Sequence, residues 1–442
     1  MMNVLTIGYY DDFSRFFLNV KQVLDQQDTK INHSHFSIYA SGYLYWRLRD
    51  RRVELLSFKA RLLVLKNYKK YLSLVKNKAE YRGIKLSDVI SYHLSLGVSA
   101  KDLMLQACGY IDVIYDRIEK SNIDIIICSS DSRLASEIAT RISKIENIQV
   151  LYFEQGPFNT TALDPQGVNA NASIRGKIFL ANREQESDIK CNLSDFYIRE
   201  RYKSYNRNPL YRAGDYIMNF IFGKTIILPP EMKNTTYNTF TSKFNRKTKR
   251  YSTHSLVGES KEFLLILQVP FDVNMVYHSP NFANHYQIVK AVSDNLPKGT
   301  HLTVREHPLY KNGYENELYE FCSSTGINIE NDKNLKQALD EADVIIVNNS
   351  TVGLEAISNH KPTVVLGNAL YDSSDLCLKL ESADKIRSIL VRSLSYQVDS
   401  AKVSGFLNEL YFKYYITGHY RDENINTLCK GFVKRIKEHY RE

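Results

Sequence analysis

The chain has 442 residues, 43% of them hydrophobic and 24% charged, and a formal net charge of +9. That apolar content excludes an intrinsically disordered chain, and a length beyond the roughly 250–300 residues that one core serves makes two domains the default. The six cysteines, Cys108, Cys128, Cys191, Cys322, Cys377 and Cys429, show no CxxC and no Cys/His ligand spacing. Neither a zinc site nor a disulfide framework is indicated, and a reducing cytoplasm fits.

Met1 to Tyr10 reads as a short apolar strand without the basic start, long apolar stretch and cleavage site of a signal peptide. Asp11 and Asp12 then open an amphipathic helix to about Leu24, and a strand is expected near Phe36 to Tyr39. Apolar spacing of three and four predicts helices over Leu55 to Leu74 and Lys101 to Ile118. Ile123 to Cys128, Ser132 to Ile145 and Gln149 to Phe153 read as strand, helix, strand. Residues 1–183 are therefore expected to form an α/β domain.

From 184 to 260 the pattern weakens into a helical and basic linker or insertion, with Pro229-Pro230 and a polar run from Lys233 to Lys249. The longest apolar run there, Tyr216 to Leu228, is broken by Asn219, Gly223 and Lys224, short of the roughly 18 residues that a membrane span needs. Between Arg199 and Arg250 basic residues far outnumber Glu200, Asp215 and Glu231. Such a stretch is either a solvated loop or a site for an anionic partner: a phospholipid headgroup, a polyanionic glycan or nucleic acid. Its interleaved tyrosines carry little weight for nucleic acid, because the chain holds 31 of them.

Regular alternation resumes at strand Phe263 to Val269. It continues through helix Asn284 to Ser293, strand His301 to Arg305, helix Tyr314 to Ser323, strand Ile327 to Ile329, helix Asn334 to Ala338, strand Asp343 to Val347, helix Thr351 to Ser358 and strand Thr363 to Leu366. Repeated β-α-β units predict a parallel doubly wound sheet over 261–400. Helices over 401–442 are expected to pack back across the domains. The fold class is α/β, two Rossmann-like domains facing a central cleft.

Candidate chemistry lies at strand ends, where open parallel sheets bind ligands. Glu154 is expected just past one strand end, before the Gly156-Pro157 turn. Asp164 to Ser173 is a polar loop that could cover a substrate. Asp272 follows a second strand end, as a cleft carboxylate or as an Asx-turn or helix N-cap. Two such acids are the equipment of glycosyl chemistry. Arg305 and His307, two residues apart, can share a strand face, with Glu306 pointing away and Pro308 extending the backbone at His307. Ser350 or Thr351 starts a helix whose N–H groups suit an anion, or is an ordinary cap. Walker, GxSxG, HExxH and GxGxxG motifs are absent, and Asp11-Asp12 is the pair to watch for metal chemistry.

Five blocks carry a family resemblance: Phe153-Glu154-x-Gly156; Gly167-Val168-Asn169-x-Asn171-x-Ser173; Leu267-Gln268-Val269-x-x-Asp272-x-Asn274 with His278-Ser279-Pro280; Arg305-Glu306-His307-Pro308; and Asn349 through Ala356. The chain resembles the bacterial capsule polysaccharide biosynthesis proteins, which include the retaining β-Kdo transferases that use CMP-Kdo. The resemblance implies a GT-B-like fold, a donor held mainly by the C-terminal domain, and neither metal nor other cofactor. It implies Asp272 as nucleophile, Glu154 as the carboxylate that helps activate the acceptor, and His307 as hydrogen-bond donor to the departing phosphate. Arg305, Ser350 and Thr351 would complete the donor phosphate and carboxylate site. Gln155, Asn169, Asn274, His278, Ser279, Asn349 and Glu355 belong to the same implied substrate-binding set.

The implied partners are CMP-Kdo and an oligosaccharide or lipid-linked glycan acceptor of capsule or lipopolysaccharide O-antigen. No nucleic-acid partner is expected. The implied place is the cytoplasm, with peripheral contact to an anionic membrane surface at the inner face of the inner membrane. Two other readings stand beside this one: an inverting transferase using a CMP-nonulosonate such as sialic or pseudaminic acid, and a non-catalytic membrane-surface protein that binds glycan.

Overall fold

The computed structural model describes residues 2–26, 31–77, 80–157, 159–177, 205–222, 260–373 and 375–441, which fall into two compact units. The first holds described residues 2–168, 205–222 and 414–441; the second holds 169–177 and 260–413. Each is α/β, the class expected.

In the first unit β1 (Met2–Gly8) pairs in parallel with β2 (Ile31–Ser37), and β2 in turn with β3 (Val53–Leu55). A small hairpin, β4 (Glu80–Tyr81) and β5 (Ile84–Lys85), stands apart from the sheet. On its other side β1 pairs with β6 (Ile125–Ser129), and β6 with β7 (Gln149–Gly156). The resulting order β3-β2-β1-β6-β7 is that of a doubly wound half. β8 (Thr160–Asp164) and the short strand Ile416–Thr417 extend it antiparallel.

β8 was not expected from the sequence, and it corrects the place of Glu154. Because β7 turns back to pair with β8, it runs three residues past Phe153, and Glu154 lies inside the strand opposite Ala162. A second difference is the helix expected over Leu55 to Leu74. It divides at Asn67 into Leu56–Lys66 and Tyr68–Lys76, since Asn competes poorly as a helix interior residue.

The core of this unit is aromatic on one face. Phe16 and Phe17 from helix Asp11–Gln26, Phe153 from β7 and Phe432 from helix Asn426–Arg441 are all buried, with Phe16 stacked on Phe153 at 4.9 Å. Helix Asn426–Arg441 thus belongs to the first unit, whereas helix Ser400–Asn408 belongs to the second. Helix Pro209–Phe222, from the expected insertion, also belongs to the first. The polar run 233–249 and most basic positions of 199–250 lie outside the described residues. Of those described, Arg207 pairs with Asp12 at 3.0 Å and Arg212 with Asp215 at 2.6 Å.

The second unit is a six-stranded parallel sheet. Its strands are β9 (Lys261–Ile266), β10 (Thr300–Arg305), β11 (Asn328–Ile329), β12 (Val344–Val347), β13 (Thr363–Val365) and β14 (Leu378–Lys379). They lie in the order β11-β10-β9-β12-β13-β14. Numbered within the unit this is 3-2-1-4-5-6, the Rossmann order, whose direction reverses between β9 and β12. The central strands are continuous apolar runs because helices cover both faces. Phe263, Leu265, Val304, Ile345, Ile346 and Val364 are fully or almost fully buried. Asn284 and Asn334 cap the helices that follow, accepting from the N–H of Gln287 at 2.9 Å and of Gln337 at 2.8 Å.

Candidate functional site

A pocket of about 150 Å³ opens at the carboxyl ends of the second unit's strands. Gln268, Val269 and Asp272 reach it from the loop after β9 and Asn274 from the short helix that follows, His307 from the loop after β10, Asn349 to Thr351 from that after β12, and Asn368 to Tyr371 from that after β13; Asn169 and Ala170 complete the rim. It therefore straddles the β9/β12 reversal, where a doubly wound sheet leaves a crevice for a ligand.

Asp272 is both things that the sequence left open. One carboxylate oxygen accepts the Asn274 N–H at 2.7 Å and caps the short helix Val273–Tyr277, while the half-buried side chain lines the pocket. The preceding residue, Phe271, has φ of +60° and an exposed ring. His307 Nδ1 accepts the Leu309 N–H at 3.3 Å, which leaves the proton of the neutral ring on Nε2. Burial holds the His307 pKa below its usual 6.5, and the nearby Asp272 charge opposes that shift. The ring is thus a neutral hydrogen-bond donor at pH 7.

The loop after β12 is held by its amides. Asn349 donates through Nδ2 to the carbonyls of Asn274 at 3.0 Å and His278 at 2.9 Å, which fixes its orientation. Ser350 Oγ accepts the Val352 N–H, and its carbonyl takes the Tyr371 hydroxyl. Gly353 is required here, because a Cβ would run into the Tyr371 ring. Gly367 is required likewise: a Cβ would stand 2.6 Å from the His278 carbonyl oxygen. The oxygens Gln268 Oε1 and Asn349 Oδ1 are buried without a hydrogen-bond partner among the described residues.

The structure thus gathers Asp272, Asn274, His307, Asn349, Ser350, Thr351 and Asn169. Other expected site residues stand elsewhere. Arg305 does not line the pocket; its guanidinium donates to the Lys333 carbonyl at 2.7 Å. Glu306 does point away, as a buried hub accepting from Asn312 N–H, Tyr319 and Asn331. His278 is buried and gives its carbonyl to Asn349 and to the Asn368 N–H, and Ser279 donates to the Phe282 carbonyl at 2.6 Å. Glu355 is buried in helix Val352–Ser358. Glu154 and Gln155 belong to the first unit. Glu154 accepts the Gln155 N–H at 3.0 Å and lies near Tyr415, whose pKa burial and then the Glu154 charge raise, and near Tyr420, raised by burial, then by Asp12 and to a lesser degree by Glu154.

Gln268 and the stretch Asn368 to Tyr371 were missed, although the strand-end rule that found Asp272 applies equally after β13. The stretch Asn368 to Tyr371 is anchored by Asp372, which accepts the Ala369 N–H at 3.2 Å and a two-bond fork from Arg175 at 2.9 and 2.8 Å, with Lys379 at 3.4 Å. Arg175 also holds the Ala170 carbonyl at 3.2 Å and so fixes the rim. Among the described residues no three His, Cys, Asp or Glu side chains gather as a metal site. The Asp11-Asp12 pair is buried: Asp12 meets Arg207 and Arg421, and Asp11 accepts from Tyr205 and the Asn208 N–H.

Residues 124–415 match the family described as capsule polysaccharide biosynthesis protein. The chain belongs to that family. Among its relatives, the capsule polysaccharide export protein KpsS of Escherichia coli is 24% identical over 279 residues, 57% of this chain and 69% of that one. Protein FixF of Sinorhizobium fredii (strain NBRC 101917 / NGR234) is 25% identical over 182 residues, 40% of this chain and 44% of that one. Among solved structures, the β-Kdo 2,7 transferase of Thermosulfurimonas dismutans KpsC is 13% identical, with a TM-score of 0.39 over 74% of this chain and 90% of the other. In this member of the family, then, a doubly wound unit presents a carboxylate and a neutral imidazole to one pocket. No helix of the described residues is long and apolar enough to cross a membrane.

Proposed function

We propose that this chain is a glycosyltransferase of capsule polysaccharide assembly that moves Kdo from CMP-Kdo to a glycan or glycolipid acceptor with retention of configuration. The observation that carries the reading is the convergence of Asp272 and His307 on one pocket at the β9/β12 reversal. Family membership, with its link to capsule polysaccharide, supports the substrate class. Two Rossmann-like units are the parts from which a GT-B-like enzyme is built.

In this mechanism the Asp272 carboxylate forms a bond to the anomeric carbon as the carbon–phosphate oxygen bond breaks and CMP leaves with the electron pair. His307 donates its Nε2 hydrogen bond to the phosphate oxygen on which charge collects, and Ser350 and Thr351 offer hydroxyls beside it. The acceptor oxygen then displaces Asp272, and Glu154 takes the acceptor proton, the role that the family resemblance gives it. The Escherichia coli relative has a name that speaks of export; a carboxylate beside an imidazole favours chemistry for this chain.

A panel of CMP-sugars separates these readings, with CMP release followed with and without acceptors and the anomeric configuration of the product read by NMR. The expected result is release from CMP-Kdo, loss of roughly a thousandfold or more in Asp272→Asn, and one sugar trapped on an Asp272 peptide. Full activity of Asp272→Ala, or release only from a CMP-nonulosonate with inversion, overturns the proposal.

A further inference from the structure

Helix Pro209–Phe222 is seated the wrong way round for an ordinary surface helix. Such helices bury an apolar stripe and expose polar residues. Here the buried contact is polar: Asp215 accepts the Ser41 N–H at 2.8 Å and pairs with Arg212. The far end is pinned by Phe222 against Phe58, ring centroids 5.7 Å apart, and beneath Arg61 at 4.4 Å. Outward stand Leu210 at 81% exposure, Ile217 at 56%, Phe220 at 88% and Ile221 at 58%. At about 100° per residue Leu210, Ile217 and Ile221 fall within about 40° around the axis, with Phe220 about 60° from Ile217. The exposed residues form one stripe.

The surroundings tell what would cover it. Arg49 joins the neighbouring loop to this helix, its guanidinium on the Tyr45 ring and bonded to the Tyr211 hydroxyl at 3.3 Å. That loop exposes Leu48 together with Arg47, Arg51 and Arg52, and helix Leu56–Lys66 exposes Leu62 and Leu65 with Lys59 and Lys66. No acidic side chain within 40–70 or 205–222 is exposed. Among the described residues this apolar stripe is accompanied by exposed cations, while Asp50 and Glu54 are half-buried and paired with Arg52 and Lys59; it fits an anionic lipid surface, where rings and aliphatic chains enter the acyl boundary and the cations meet headgroup phosphates. A second copy of this chain fits less well, because a two-fold contact would set these arginines against one another. A water-dissolved polyanion would leave the stripe uncovered.

We infer that the first unit docks on an anionic bilayer through Leu210, Ile217, Phe220 and Ile221, with Arg47, Arg51 and Arg52 on the headgroups. The helix lies along the interface. This contact is independent of the proposed reaction and does not use the pocket of the second unit.

The test is co-sedimentation of the full chain with vesicles of phosphatidylcholine alone, or with about a third phosphatidylserine. Wild type is expected to partition at least about tenfold better on the anionic vesicles, and less as salt rises. Ile217→Ser with Phe220→Ser should lower that partition at least about tenfold with the thermal midpoint unchanged, since both side chains already face solvent. Arg47→Gln with Arg51→Gln should remove much of the salt dependence. The inference is overturned if wild type shows no anionic preference, or if the Ile217/Phe220 variant partitions as wild type does. It is equally overturned if that variant turns a dimer into a monomer without changing lipid partition.

Discussion

Phe271 stands one residue before Asp272 with φ of +60° and 62% of its surface exposed. A left-handed backbone costs an L-residue roughly 1–2 kcal/mol, against roughly 0.5–1 kcal/mol of extra unfolded-state freedom for glycine. With little burial to lose, Phe271→Gly should raise stability by about 0.5 kcal/mol in a denaturant titration while loosening the aim of Asp272 and lowering turnover. A less stable variant would mean that the ring contributes more than the backbone strain takes away. His307 carries a sharper expectation. Because it donates from Nε2 as a neutral ring, His307→Gln, which keeps a donor at that reach, should retain about tenfold more turnover than His307→Ala. Its depressed pKa keeps kcat/KM level down through pH 6.5, whereas a fall on the alkaline side near that pH would show His307 working as a protonated acid.

The buried pair His33 and His35 sets a pH limit on the fold. Thr6 Oγ1 bridges them at 2.9 and 2.8 Å, and His35 stacks on Trp46 at 4.3 Å. Burial lowers both, His33 to about 3 and His35 well below 6.5, so each is neutral in the fold. The unfolded chain protonates first as pH falls through 6.5. Stability is therefore complete above that value and declines below it, by up to about 1.4 kcal/mol per pH unit for each ring. Denaturation midpoints at pH 7 and pH 5 measure it, and His35→Asn should flatten the difference.

Among elements, the start of helix Asp11–Gln26 shows what a sequence conceals. Asp11-Asp12 reads locally as an acidic pair, yet Asp12 is fully buried and its partners, Arg207 and Arg421, come from far along the chain. No spacing rule reaches them. Asp12→Ala should lower stability by about 3 kcal/mol in urea, the loss expected when a buried pair is broken from one side; a loss below about 1 kcal/mol would show the arginines fully rescued by water. Arg305 was opaque for a related reason, since its acceptor is a main-chain carbonyl at Lys333. β8, Thr160-Thr161-Ala162-Leu163-Asp164, was hidden because its buried side chains are mostly polar and small. By contrast β9, β12 and β13 were legible as short apolar runs of the kind that strands buried on both faces produce, and β10 by its place in the β-α-β alternation. The polar residues at their ends, Asp272, His307 and Ser350 among them, were legible as pocket candidates by the same rule.

At the scale of the molecule, the first unit is assembled from separate stretches of chain, and its last one completes the aromatic core. Leu428, Cys429, Phe432, Val433 and Ile436 are all buried, with Phe432 edge-on to Phe16 at 5.0 Å. Burying such side chains contributes roughly 1.5–3 kcal/mol each, so helix Asn426–Arg441 supplies on the order of 10 kcal/mol, comparable with the whole stability of a typical domain. The chain holds a single tryptophan, Trp46, fully buried in this unit, so its fluorescence follows the first unit alone while far-UV circular dichroism follows both. Phe432→Ala should move the Trp46 transition to lower denaturant by about 3–5 kcal/mol and leave the second unit's part of the dichroism change in place. If both signals move together by the same amount, the two units unfold as one cooperative block, and the C-terminal helix supports the whole molecule rather than the unit that it completes.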